Sequence, residues 1–156
     1  MFSLSMKLKN EIRQKRPFTS VQEEVLLALA RTADQLAAPM HEVLRQAGLS
    51  SSQYNVLRIL RGSAAEPLPC GEIAERMVRR DPDLTRLLDR LEKGGLVTRS
   101  RGTDDRRVVR AAITDAGLAL LASLDEPVQE SARKALAHVP VARLKVLLEI
   151  LEEARN

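Results

Sequence analysis

The run Pro69-Cys70-Gly71-Glu72-Ile73-Ala74-Glu75-Arg76-Met77 is followed, after a short break, by Pro82-Asp83-Leu84-Thr85-Arg86-Leu87-Leu88-Asp89-Arg90-Leu91-Glu92-Lys93-Gly94-Gly95-Leu96-Val97. The first run reads as a helix over 69–78, because Pro69 suits a first turn where its missing N–H costs nothing. The second repeats that logic, with Asp81 as the expected N-cap, Pro82 at the first helical position and Gly94-Gly95 as the stop. Residues 97–113 then read as a β-hairpin around the turn Gly102-Thr103-Asp104-Asp105. Thr114-Asp115-Ala116-Gly117 opens another helix. Two helices, a break and a basic hairpin describe a helix-turn-helix with a wing, an arrangement suited to reading DNA.

The residue types support that reading. On the helix from Pro82, Leu84, Leu87, Leu88 and Leu91 share one face and anchor it. Thr85, Arg86, Asp89, Arg90 and Lys93 take the other face, which is either a solvated face or a reading one. In a major groove, Arg86 and Arg90 would address guanine O6 and N7 or phosphate, and Thr85 a base or a thymine methyl. Asp83 either supports the helix cap or accepts from a cytosine amine. In the hairpin, Arg99, Arg101, Arg106, Arg107 and Arg110 face only Asp104 and Asp105. A basic tip of this kind fits a minor groove, where inserted arginine meets concentrated negative potential. Asp105, two residues before Arg107, is placed to orient that guanidinium through an ion pair.

Outward from this centre the chain reads as helices. Leu29, Ala33, Leu36, Met40, Val43 and Ala47 form one apolar stripe over 20–47, interrupted by Pro39 and ended by Gly48. Ser50-Ser51-Ser52-Gln53 has the form of a capping box for a helix over 51–61. After the hairpin, Leu118, Leu121, Leu124 and Val128 keep helical spacing, with Pro127 a possible bend. A last helix after Pro140 carries Val141, Leu144, Leu147, Leu148 and Leu151 on one stripe. Residues 1–17, rich in Lys and Arg, read as a flexible basic arm, with Met1 or Met6 as the start. The expected organisation is that arm, a helical dimerisation region over 18–48 and 115–156, and a DNA-binding lobe over 49–114.

Composition bounds the function. Aromatic residues are 2% of the 156, so the core must be aliphatic, and a formal charge of +4 suits an anionic partner. Of the 25 cationic residues 19 are Arg, whose planar fork matches phosphate and guanine edges. No apolar run reaches the roughly 18 residues of a membrane span, and no signal-peptide core is visible, so a cytoplasmic protein is expected. One Cys excludes an intrachain disulfide. His41 and His138 are too scattered for a metal site, and no nucleophile–His–acid set or phosphate loop appears, so neither an enzyme nor a cofactor is expected. Cys70, at a first helical turn where the dipole lowers a thiol pKa, is either structural or redox-active.

Several of these runs together resemble one family. Leu49-Ser50-Ser51-Ser52-Gln53-Tyr54-Asn55-Val56-Leu57, Gly71-Glu72-Ile73-Ala74-Glu75-Arg76, the run Leu84 to Val97, Asp105-Arg106-Arg107 and Ile113-Thr114-Asp115-Ala116-Gly117 look like the MarR family of bacterial regulators. The resemblance covers about residues 20–155. It implies a mainly α fold with a small β-hairpin, a winged helix-turn-helix domain with N- and C-terminal dimerisation helices, and a homodimer on palindromic double-stranded DNA. By position, Asp83, Thr85, Arg86, Asp89 and Arg90 fall on the recognition helix, and Arg101, Asp105, Arg106 and Arg107 on the wing. Gly94 departs from the family, which commonly has a basic residue there, and the Gly-Gly pair is expected to loosen the helix end. Relatives of this kind are most often repressors, and many release DNA when a small phenolic or lipophilic effector binds. Met40, Tyr54 and Leu57 fit either the lining of an effector crevice or the core. Exchange of the long apolar helices between subunits would bury their stripes in a two-fold interface. The alternatives are a monomeric helical bundle and a winged-helix module that binds protein rather than specific DNA.

Overall fold

Ser50 has extended backbone (φ −82°, ψ 162°), and its hydroxyl accepts from the Gln53 amide at 3.1 Å. The Gln53 side-chain oxygen accepts in return from the Ser50 amide at 2.9 Å. This capping box starts α3 (Ser51–Gly62) where the sequence predicts it. The computed structural model describes residues 5–63, 66–102, 105 and 107–156. The chain forms two units, Met1–Pro39 and Met40–Asn156.

The first unit contains α1 (Ser5–Glu11) and the greater part of α2 (Val21–Gln46). The helix α1 lies within the stretch read as a basic arm: residues 5–11 include Leu8, Lys9 and Glu11, good helix formers, and no Gly or Pro. Arg13, in the left-handed region at φ 52°, turns the chain out of it. At the head of α2 the Ser20 hydroxyl accepts from the Glu23 amide at 3.1 Å. The Glu23 carboxylate accepts from the Thr19 hydroxyl and amide, which holds its pKa below the usual value. Helix α2 continues through Pro39, and α6 (Asp115–Leu136) through Pro127, so neither proline divides its helix.

In the second unit α2 ends in a Schellman closure. Leu49 N–H donates to Leu44 O at 2.9 Å and Gly48 N–H to Arg45 O at 3.0 Å, with Gly48 left-handed at φ 73°. The sheet has three strands in the order β1 (Leu68–Pro69), β3 (Val109–Ile113), β2 (Val97–Arg101), all antiparallel. The hairpin is as expected. The third strand is not: Leu68 and Pro69 pair with Ala111 and Arg110, so Pro69 caps α4 (Cys70–Arg76) from a strand instead of lying inside the helix. Two residues are too few for an alternation signal, and proline is tolerated because β1 is an edge.

A continuous aliphatic core joins α3, α5 (Leu84–Lys93), the sheet and α6 around Leu57, Leu60, Ile73, Leu88, Leu91 and Leu121, each 1% exposed or less. Thr114 ties α6 to the hairpin: its hydroxyl donates to Gly95 O at 2.7 Å and accepts from Gly117 N–H at 3.1 Å. A Cβ on Gly117 would collide with the Leu96 carbonyl oxygen and lie 2.7 Å from Ile113 Cγ1, so glycine is required there. Arg61 on α3 makes a two-pronged pair with Asp125 on α6, both contacts 2.9 Å, which holds the Asp125 carboxyl below its usual pKa. The final helix, α7 (Val141–Glu153), buries no residue at all.

Candidate nucleic-acid interface

Helix α5 divides cleanly by face. Leu87, Leu88 and Leu91 are buried, while Thr85, Arg86, Arg90 and Lys93 are exposed. Its N-cap is Asp83, whose carboxylate accepts from the Arg86 amide at 3.4 Å and pairs with Arg86 Nε at 3.2 Å. The cap is therefore two residues later than predicted. Asp81 instead accepts from the Asp83 amide at 3.0 Å, folding 81–83 into a turn that leaves Pro82 outside the helix. At the other end Leu96 N–H donates to Leu91 O at 3.0 Å and Gly95 N–H to Glu92 O at 2.9 Å. Gly95 is left-handed at φ 71° and Gly94 right-handed. The Gly-Gly pair therefore closes the helix in a Schellman motif, correcting the expectation of a loose end.

Asp89 and Arg99 have a different place from the one the sequence suggests. Arg99 on β2 reaches Asp89 at 2.6 Å and Glu92 at 2.7 Å, and its backbone N–H also donates to Glu92 at 3.0 Å. Hydrogen bonding to Arg99 lowers the Glu92 pKa, and the same contact raises that of Arg99. These three residues brace the helix against the wing strand, so Asp89 is engaged within the fold. Glu92 was missed by sequence reasoning. The available signal was its spacing of three from Asp89, which puts two carboxylates on one side of the helix.

On the wing, Arg101 and Arg107 are exposed. The Asp105 carboxylate accepts from the Arg107 backbone amide at 2.9 Å. It thus fixes the backbone of the tip, not the Arg107 guanidinium as the spacing suggested, because an Asx-type turn is reached without ordering a long side chain. Thr103, Asp104 and Arg106 lie outside the described residues. Arg110 points back along the sheet, donating to Pro67 O at 3.3 Å.

Between α5 and the wing lies a cleft of about 480 Å³, whose lining includes Cys70, Thr85, Leu88, Arg99, Arg107 and Val109. Burial raises the Cys70 thiol pKa, outweighing the nearby Arg99 charge, so the thiol is poorly ionised at neutral pH. Tyr54 and Leu57 are core residues, 6% and 0% exposed, and Met40 packs against that core. Among the described residues no three His, Cys, Asp or Glu side chains are grouped to hold a metal, and no helix is long and apolar enough to cross a membrane.

A helix with a polar outer face, braced to a hairpin with arginines at its end, is the geometry of a winged helix-turn-helix. The MarR family model matches residues 49–109, the span of this lobe. A MarR transcription factor from Planctomyces limnophilus is 43% identical over 86% of this chain and 98% of its own, with a TM-score of 0.68. The chain belongs to the MarR family. Among curated relatives, the homoprotocatechuate degradative operon repressor of Escherichia coli is 25% identical over 85% of this chain and 88% of its own. The structure of NadR in complex with 4-hydroxyphenylacetate is 26% identical over 89% and 97% of the two chains, with a TM-score of 0.69. This MarR-family chain is a DNA-binding transcriptional regulator with a winged-helix fold.

Proposed function

We propose that this MarR-family regulator works as a homodimeric repressor of a palindromic promoter operator. The observation that carries the proposal is the outer face of α5, where Thr85, Arg86 and Arg90 stand exposed beside the exposed wing arginines Arg101 and Arg107. In our reading Thr85, Arg86 and Arg90 meet the major groove, and Arg101, Arg106 and Arg107 meet the phosphates and minor groove. Asp83 and Asp105 act by holding Arg86 and the wing backbone. Residues 49–114 form the reading lobe, and 18–48 with 115–156 the dimerisation region. The bare apolar side chains of α7 support the dimer, with Val146 53%, Leu148 60% and Ile150 55% exposed. A two-fold pair would present two recognition helices about one turn, about 34 Å, apart.

Repression is supported by the repressor among its relatives, and a phenolic effector by the 4-hydroxyphenylacetate bound to NadR. An effector reaching Tyr54 or Leu57 would have to open the core, whereas the cleft beside Arg99 and Arg107 is open as it stands. The protein acts in the cytoplasm, where its DNA is. The test is selection of bound fragments from the source genome, followed by titration of the best fragment with Arg107→Ala. One promoter-proximal palindrome bound in preference to all else is expected, with Arg107→Ala weakening it by about 1–3 kcal/mol while the dimer persists. Uniform, sequence-independent affinity would instead favour a protein-binding module.

A further inference from the structure

The turn between α4 and α5 is held more firmly than its length suggests. Met77 is extended (φ −67°, ψ 136°) and 7% exposed, so it fastens the start of the turn to the core. Val78 N–H donates to the Asn55 side-chain oxygen on α3 at 2.9 Å, and Asp81 closes the far end onto the Asp83 amide at 3.0 Å. Yet Val78 itself is 87% exposed, more than any other exposed large hydrophobic residue described. The other one within residues 49–114, Val109, lines the cleft. The exposed side chains of α2 and α7 lie on helices outside this lobe, so burial of those helices leaves Val78 unexplained. Arg79 and Arg80 follow it, both exposed, and neither joins an ion pair among the described residues.

An apolar side chain displayed on a pinned backbone, next to two free cations, matches one surface well: the edge of a DNA major groove. Thymine there offers the C5-methyl group, and phosphates line the rim. The turn feeds directly into the N-terminus of the helix that enters the groove in a helix-turn-helix. We propose that Val78-Arg79-Arg80 is a third DNA-contacting element, in which Val78 packs on a thymine methyl and Arg79 and Arg80 bind the flanking phosphates. It deepens the operator-binding reading and rests on it. Val78 then adds a sequence preference at a position that α5 and the wing do not read.

The test uses the full chain and the operator fragment selected by the wild-type protein. Thymines are replaced one pair at a time by uracil, at symmetry-related positions, which removes only the C5-methyl. One replacement is expected to weaken wild-type binding by about fourfold per half-site, the worth of one buried methyl. Val78→Ala weakens the unmodified operator by a similar factor and is insensitive to that same replacement. Arg79→Ala/Arg80→Ala keeps the sequence preference but flattens the dependence of log affinity on log salt by about one to two units per lobe. If no uracil position distinguishes Val78→Ala from wild type, or if the double variant keeps the wild-type slope, the proposal is overturned while operator binding stands. If the wild-type protein selects no fragment, both fail together.

Discussion

Individual glycines carry opposite demands in this chain. Gly95 is left-handed and closes α5, whereas Gly94, one residue earlier, has ordinary helical backbone and room for a Cβ at van der Waals distance, its nearest would-be contact 3.4 Å away. Gly94→Ala should therefore raise stability by about 0.4–1 kcal/mol by restricting the unfolded chain. Gly95→Ala should lower it by about 1–2 kcal/mol, the cost of a Cβ in the left-handed region. Urea unfolding midpoints at one fixed protein concentration distinguish the two, and a loss at both positions would refute the assigned closure. The pair of letters alone does not say which glycine bends the chain. Asp105 shows the same limit, since spacing brought it near Arg107 but could not choose between the guanidinium and the amide.

Between elements, charge does positioning work. Arg99 holds α5 to β2 through Asp89 and Glu92, and with its side chain only 24% exposed it is badly placed to neutralise phosphate. Arg99→Met should cost operator affinity about 1 kcal/mol, the upper range for ion pairs near a surface, without changing the salt dependence of binding. A flattened salt slope would make Arg99 a phosphate contact and the brace secondary. The lowered pKa values of Glu92 and Asp125 give a pH prediction. A folded pKa below the unfolded one means stability that is full above the ordinary carboxylate range. It is lost as pH falls out of that range and through the lowered folded values. Arg61→Met, which releases Asp125, should make acid unfolding measured by circular dichroism less steep there; an unchanged curve would contradict the pair. The helices and the hairpin were legible because leucine spacing, serine and threonine caps and glycine stops all agree. The edge strand and the Arg99 brace were not, because each depends on a partner in another element. The shift of the α5 cap was not either, because Asp81 and Asp83 are both local cap candidates and their spacing does not choose between them.

At the scale of the whole molecule, the apolar stripe of α7 was legible as a stripe, but nothing in its period says whether the cover is another helix of this chain or of a second copy. The structure leaves it bare. Leu148→Asp should shift the protein toward monomer, weakening association by about 1.5–3 kcal/mol per leucine removed from the interface. Analytical ultracentrifugation reads this directly, and an unchanged dimer would place the interface elsewhere. The missing side chain at Gly117 then takes on a mechanical meaning. Helix α6 presents bare backbone to the root of the wing at Gly117, with the Leu96 carbonyl oxygen and the Ile113 side chain immediately against it. Thr114 bolts the same corner. A tilt of α6 would therefore press directly on the root of the wing, where the Leu96 carbonyl leaves no room for a Cβ.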